Sequence, residues 1–218
     1  PPGSISKEEI IAQGGMGIIF RAQQTIPKRN VAVKRTKQIG TEQEYLLLQE
    51  ALVAGSLEHP NIVPIHQIRR CENGQIEIIM KLVQGTTLLE LLKNQKKSIL
   101  STKDPLHILS QVCNALNFAH KNRVIHRDIK PANIMIGEFG ETYLLDWGIA
   151  VQLDHLIFSP DEIVGTLSYM APEMLSGVSA DITICTDVYL LGATLHEILT
   201  GKKRHHGDTN TILHSIKE

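Results

Sequence analysis

The apolar residues change their period near residue 84, and that change restricts the fold more than any other feature of the chain. From Glu9 to Val83 the apolar runs are short: Ile10-Ile11, Gly17 to Phe20, Asn30 to Val33, Ile62-Val63 and Ile76 to Val83. Gly, Pro or Asn punctuates them, as antiparallel strands and hairpins require. One segment breaks this rhythm. Thr41 to Leu57 carries Leu46, Leu47, Leu48, Ala51, Leu52 and Ala54 with no glycine before Gly55, the pattern of a single helix set among strands. After Gln84-Gly85 the balance reverses, and Thr87 to Lys93, Pro105 to Lys121 and Thr186 to Leu199 follow i, i+3, i+4 spacing. Asp104 is placed to cap the second of these helices. Ile134-Met135-Ile136 and Tyr143-Leu144-Leu145 read as short strands between the helices. The expectation is an α+β chain with a β-rich unit, residues 1–83, and a larger, mainly helical unit, residues 84–218. No internal repeat or low-complexity segment interrupts it.

Composition narrows the function classes. Lys and Arg number 22 against 23 Asp and Glu, for a formal net charge of −1, and 42% of the 218 residues are hydrophobic. Such a chain is not disordered as a whole, and it has no bulk electrostatic attraction for nucleic acid or a membrane surface. No apolar run approaches the roughly 18 residues of a membrane span. Pro1 to Lys7 lacks the apolar stretch of a signal peptide. Cys71, Cys113 and Cys185 are widely spaced and form no metal-ligand pattern, and an odd count argues against a disulfide framework. A cytoplasmic, reducing setting is expected, with any membrane anchor lying outside these residues. The basic runs Lys93 to Lys97 and Lys202-Lys203-Arg204 read as solvated loop charges.

Five short motifs carry chemistry. Gly14-Gly15-Met16-Gly17 lies between two strand-like runs, where glycines let a backbone approach phosphate oxygens, although a plain hairpin needs glycine there too. In Val31-Ala32-Val33-Lys34 a lysine ends an apolar strand, which holds its ammonium at a fixed point suited to a phosphate. A lone strand lysine more often only snorkels to solvent. His126-Arg127-Asp128-Ile129-Lys130-Pro131-Ala132-Asn133 has polar groups too dense for a core and too specific for a random loop. Asp146-Trp147-Gly148 sets a carboxylate just past a short strand, where it can hold a hard cation or merely make a turn. Gly165 to Glu173, reading Gly-Thr-Leu-Ser-Tyr-Met-Ala-Pro-Glu, ends a poorly periodic stretch and leads back to helices.

In this order the motifs resemble those of the eukaryotic-like protein kinase family, from about Ile10 to Leu199. Asp187 to Gly192 is similar to the family's later Asp-x-(3)-Gly helix. Lys130, two residues after Asp128, resembles the Ser/Thr class, and Gly15-Met16-Gly17 with Lys130 to Asn133 resembles bacterial members. The resemblance implies a two-lobed fold and an ATP-dependent protein Ser/Thr kinase, able to phosphorylate itself. It also implies particular roles. Asp128 would accept the substrate hydroxyl proton, with Lys130 and Thr166 beside it. Asn133 and Asp146 would hold Mg²⁺ or Mn²⁺. Lys34 would contact the α- and β-phosphates and pair with Glu50, nine residues before His59; Glu42, Glu44 and Glu58 are nearby alternatives for that pairing. Ala12, Gly14, Gly15, Met16 and Gly17 would cover the ATP phosphates. Ile19, Ala32 and Met135 would line the nucleotide site, and Met80 would lead into a hinge at Lys81 to Val83 whose backbone meets adenine. The expected partners are ATP and a protein Ser/Thr substrate, not nucleic acid. The rival is a pseudokinase serving as a binding module, whose usual mark is loss of the Lys or an Asp; Lys34, Asp128 and Asp146 are all present.

The departures from the family are few. Ala12 stands at the place of the first glycine of the loop, and Trp147 replaces the usual Phe after the metal Asp. A buried indole N–H there would want a partner. Lys81 occupies a hinge position often acidic in the family. The family's helical lobe runs on beyond Leu199 and includes an Arg for the Glu of Ala-Pro-Glu, so Glu173 is expected to lack its usual partner in a C-terminally shortened domain. Arg127 would pair with a phosphorylated loop residue, for which Ser159, followed by Pro160, is the candidate; an ordinary turn serine is the alternative.

Overall fold

The structure, a computed structural model, describes residues 4–14, 17–37, 40–94, 104–153 and 162–218. The chain forms two compact units, Pro1–Gln84 and Gly85–Glu218.

The first unit is a five-stranded sheet and one helix. Strands β1 (Ile5–Gly14), β2 (Gly17–Gln24), β3 (Arg29–Arg35), β4 (Ile65–Arg70) and β5 (Ile76–Lys81) run in the order β1-β2-β3-β5-β4. Every neighbouring pair is antiparallel. Helix α1 (Glu42–Ser56) falls within the stretch the glycine-free pattern marks. It buries Glu44, Leu47, Ala51 and Ala54, a stripe at spacings of three and four. Leu47 and Ala51 pack with Ile76 and Ile78 of β5, while Ala22, Val31, Val33 and Ile79 form a second cluster.

Gly17 opens β2 at φ +138°, and a Cβ there would stand 2.2 Å from the Arg35 carbonyl oxygen on β3. Only glycine fits this close approach, so strand pairing alone explains Gly17. The expected strand at Ile62-Val63 is a correction. Ile62 and Val63 are buried, and Ile62 closes a turn onto the His59 carbonyl. The strand begins only after Pro64, whose ring supplies no N–H to a ladder.

The second unit holds a short sheet, β6 (Gly85–Thr87), β8 (Ile134–Gly137) and β9 (Thr142–Leu144), in the order β6-β8-β9, and a separate pair, β7 (Val124–Ile125) with β10 (Val151–Gln152). Its helices are α2 (Leu88–Lys93), α3 (Pro105–Lys121), α4 (Ile184–Thr200) and α5 (Thr209–Lys217). Their ends follow local chemistry. Thr87 and Glu90 form a capping box on α2, and Asp104 accepts the Leu106 N–H at 2.9 Å to start α3, with Pro105 in the first turn. Thr183 caps α4, and Gly201 ends it in the left-handed region at φ +69°. Helix α3 buries Ile108, Leu109, Val112, Ala115, Leu116 and Ala119. The two-lobed α+β architecture of the sequence reading is thus the observed one.

Candidate active site

In the first unit the central strand β3 presents Lys34. It stands opposite Ile19 of β2 and Ile78 of β5, with Ala32 opposite Met80, so its backbone is fixed on both sides. The Lys34 ammonium donates to both carboxylate oxygens of Glu50 on α1, at 2.7 and 2.6 Å. Glu44, one of the alternatives for that pairing, is engaged elsewhere. Its carboxylate accepts the Gly40 N–H at 3.0 Å and the Ile76 N–H at 2.8 Å. These two backbone donors, with a smaller contribution from Arg70, hold its pKa below the usual carboxylate range.

Ala12 is exposed on β1 opposite Ile19, and Gly14 pairs with Gly17 across the hairpin. Gly15 and Met16 lie outside the described residues. At the hinge, the Lys81 N–H is already donated to the Pro64 carbonyl at 3.0 Å. That donor is therefore not available to a ligand.

The second unit gathers most of the polar motif residues around one carboxylate. Asp128 Oδ2 accepts from the Lys130 ammonium at 2.6 Å and from Asn133 Nδ2 at 2.9 Å, and Asp128 Oδ1 accepts the Thr166 hydroxyl at 2.9 Å. Lys130 also donates to Thr166 Oγ1 at 2.7 Å, and Asn133 Nδ2 to the Asp128 carbonyl at 2.8 Å. The carboxylate is thus held by donors at both oxygens, with a cation beside it.

This constellation stands on backbone anchors. Asp187 near the start of α4 is wholly buried and accepts the N–H groups of His126 and Arg127, each at 2.9 Å. His120 Nε2 meets the same carboxylate at 2.7 Å. Arg127 and Asp146 both sit at positive φ, 66° and 63°, which residues with a side chain rarely adopt. The two N–H bonds to Asp187 are what hold Arg127 there. The sequence pattern marks Asp187 as a family match without a role; an acid in the first turn of an apolar helix is the available signal. The Asn133 backbone is pinned in turn, its N–H to the Lys130 carbonyl and its own carbonyl to the Leu145 N–H.

Asn133 and Asp146 have the donor chemistry of a hard-cation site. Asn133 spends its side-chain nitrogen on Asp128, which leaves its side-chain Oδ1 without a hydrogen bond among the described residues. Asp146 Oδ1 is buried and likewise unpartnered among the described residues. An orphaned buried carboxylate oxygen is costly unless a cation meets it. One carboxylate oxygen and one amide oxygen, completed by phosphate and water, suit a hard divalent cation. Met135 lies on β8 opposite Tyr143.

One expectation changes here. Trp147 is buried beside His126, ring centroids 4.6 Å apart and tilted by 59°, yet its indole N–H finds no partner among the described residues. Glu173 accepts the Thr186 hydroxyl at 2.6 Å, a partner other than the Arg of the family pattern. Arg127 donates its Nε to the Ile149 carbonyl at 2.6 Å, and burial pushes its guanidinium down to about 10 despite the nearby Asp187. Ser159 lies outside the described residues.

Residues 5–218 match the protein kinase domain family. The chain belongs to that family. It is similar to serine/threonine-protein kinase PknH of Mycobacterium bovis, 36% identical over 211 residues, which cover 95% of this chain and 35% of that protein. A probable serine/threonine-protein kinase of Clostridium acetobutylicum is 36% identical over 206 residues, 93% of this chain and 31% of that protein. Serine/threonine-protein kinase PknD of Chlamydia trachomatis is 36% identical over 227 residues, 88% of this chain and 24% of that protein. This kinase domain therefore spans about a third or less of the curated relatives it matches, and the bacterial Ser/Thr-type resemblance of its sequence holds. Among the described residues no helix is long and apolar enough to cross a membrane.

Proposed function

We propose that the protein transfers the γ-phosphoryl group of ATP to serine or threonine hydroxyls of protein substrates, its own chain included. The observation that carries this reading is the Asp128 carboxylate, bonded by Lys130, Asn133 and Thr166 within 2.9 Å. Asp128 accepts the proton of the attacking hydroxyl and aims its oxygen along the line of displacement. Lys130 compensates charge that develops next to it. Asn133 and Asp146 would hold a divalent cation, Mg²⁺ or Mn²⁺. Such an ion would supply positive charge that offsets the charge of the phosphates. Lys34, aligned by Glu50, contacts the α- and β-phosphates. The Gly14 to Gly17 loop covers the phosphates, and Val83 offers its N–H to adenine. In this reading the unit before Gly85 binds ATP, with Ile19, Ala32, Met80 and Lys81 against the nucleotide. The unit that follows carries the base and receives the substrate, with Gly165 to Glu173 as the peptide platform.

The setting we infer is cytoplasmic for these residues. The test is transfer of radiolabel from ATP to the protein itself and to casein, with Asp128→Asn as control. Label that persists undiminished in that variant refutes the assignment of the base. Absence of transfer by the wild-type full-length protein refutes the catalytic reading.

A further inference from the structure

The segment from Gly165 to Glu173 is tied down at four points. Three involve its side chains: Thr166 to Asp128, Tyr169 to Glu197, and Glu173 to Thr186. The fourth is different. The Ser168 carbonyl accepts the backbone N–H of His205 at 3.1 Å, and the His205 side chain has no part in the chemistry described above.

His205 is wholly buried, at 0% exposure, although its neighbours Arg204 and His206 are exposed. Each ring nitrogen meets a hydroxyl on a different helix: Nε2 to Tyr189 of α4 at 2.9 Å, and Nδ1 to Ser215 of α5 at 2.9 Å. The ring also lies parallel to Tyr189, centroids 6.2 Å apart and planes 6° apart. Burial first, then the charges of Arg204 and His196, push its pKa down. The neutral imidazole has one donor and one acceptor, and a hydroxyl can play either part, so both bonds form with either tautomer. An apolar ring could fill the same space, but it could not be held in one orientation by two helices at once. The arrangement fixes residue 205 in rotation and depth, and through its backbone N–H it fixes the Ser168 carbonyl. Ser168 is two residues from Thr166, whose hydroxyl is on the catalytic carboxylate.

We propose that His205 is a positioning residue for the protein substrate: it braces the backbone at Ser168 so that the peptide platform beside Asp128 is preformed before substrate arrives. This rests on the phosphotransferase reading above and adds how the acceptor chain is received. A brace of this kind acts on the acceptor peptide and not on ATP. Loss of it lets the platform wander, and binding of peptide then has to order it.

The experiment is steady-state kinetics of the full-length protein with casein as acceptor, alongside ATP hydrolysis without acceptor and the thermal midpoint. His205→Phe should raise the KM for casein about tenfold while the KM for ATP and the hydrolysis rate stay within about twofold of wild type. His205→Asn or His205→Gln, which restores one of the two hydroxyl bonds, should recover part of the loss. Tyr189→Phe and Ser215→Ala, which keep the ring and remove one partner each, should raise the casein KM about two- to threefold. An unchanged casein KM in His205→Phe overturns the proposal. So does a parallel loss in casein KM, ATP KM and hydrolysis, which marks a residue needed only for the fold. If His205→Phe does not fold, Tyr189→Phe and Ser215→Ala decide: unchanged casein KM in both overturns the brace. Failure of wild type to transfer phosphate at all refutes the kinase reading and is distinct from each of these results.

Discussion

The two units hold their charged residues in different ways. In the first, Lys34 and Glu50 meet through side chains alone, a lysine on a strand and a glutamate on a helix. In the second, Asp128 is ringed by three side chains, and the backbone just before it is held by the buried Asp187. Positive φ at a residue with a side chain costs of order 1–2 kcal/mol, and Arg127 adopts it because Asp187 collects two N–H bonds in return. The Lys34 pair can therefore be removed with little change in the fold. The catalytic loop cannot lose its anchor without losing its shape.

Three variants would break that contrast if it is wrong. Asp128→Asn should have the largest effect on activity. It removes the base itself, so transfer should fall by about 10³–10⁴-fold, measured with labelled ATP, while the thermal midpoint moves little. Lys34→Met should cost about 10²–10³ in kcat/KM through lost phosphate positioning. Its stability loss should stay near 1–3 kcal/mol, the scale for leaving Glu50 without its charged donor. Asp187→Asn should reverse that balance. An amide can accept at only one oxygen, so at least one of the two N–H bonds is lost. Removing a buried charge with several partners costs about 3–5 kcal/mol. Activity should fall by about 10²-fold because the loop no longer aims Asp128. Urea melts of Lys34→Met and Asp187→Asn side by side are decisive: equal loss of stability in the two would erase the distinction between the units.

Sequence made parts of this legible because they depend on local rules. Helix α3 starts where Asp104 and Pro105 say it should, and α1 fills the glycine-free stretch among the strands. The motif residues around Asp128 are contiguous or at fixed spacing, so pattern matching reaches them. Strand β4 was hidden by a register shift between Ile65 and Gln67. The shift turns the expected alternation of two into the Ile65–Ile68 spacing of three, and a bulge cannot be read without its partner strand. His205 was invisible for another reason. Its partners Ser168, Tyr189 and Ser215 come from a loop and two helices, and no local pattern distinguishes it from exposed His206 next to it. In the sequence Glu44 is only one of several acidic residues near Glu50. Its actual contact, the N–H of Ile76, is 32 residues away.

Glu44 gives the smallest but most specific test, because it is the charge that ties α1, and with it Glu50, to β5. Its side chain is buried, and backbone N–H groups of Gly40 and Ile76 favour its ionised form. The folded pKa is thereby depressed below the unfolded value of about 4.3. A depressed carboxylate stabilises the fold above the unfolded pKa, and the unfolded chain binds the proton first as pH falls. That contribution is lost as pH drops through the folded pKa. Glu44→Gln should therefore be less stable than wild type at pH 7, by about 1–2 kcal/mol, the scale of a hydrogen bond to a charged acceptor. The gap should narrow as pH is lowered below about 5 and through the depressed folded pKa, where the wild-type carboxyl takes up its own proton. Urea midpoints of the two proteins across that range measure the gap. A gap independent of pH would mean that Glu44 ties α1 to β5 by shape alone. The same variant should lower kcat/KM for phosphoryl transfer by about two- to fivefold, through a Lys34–Glu50 contact formed less of the time. In a Glu50→Gln background that further loss should vanish, because Glu44 then has no partner pair left to align.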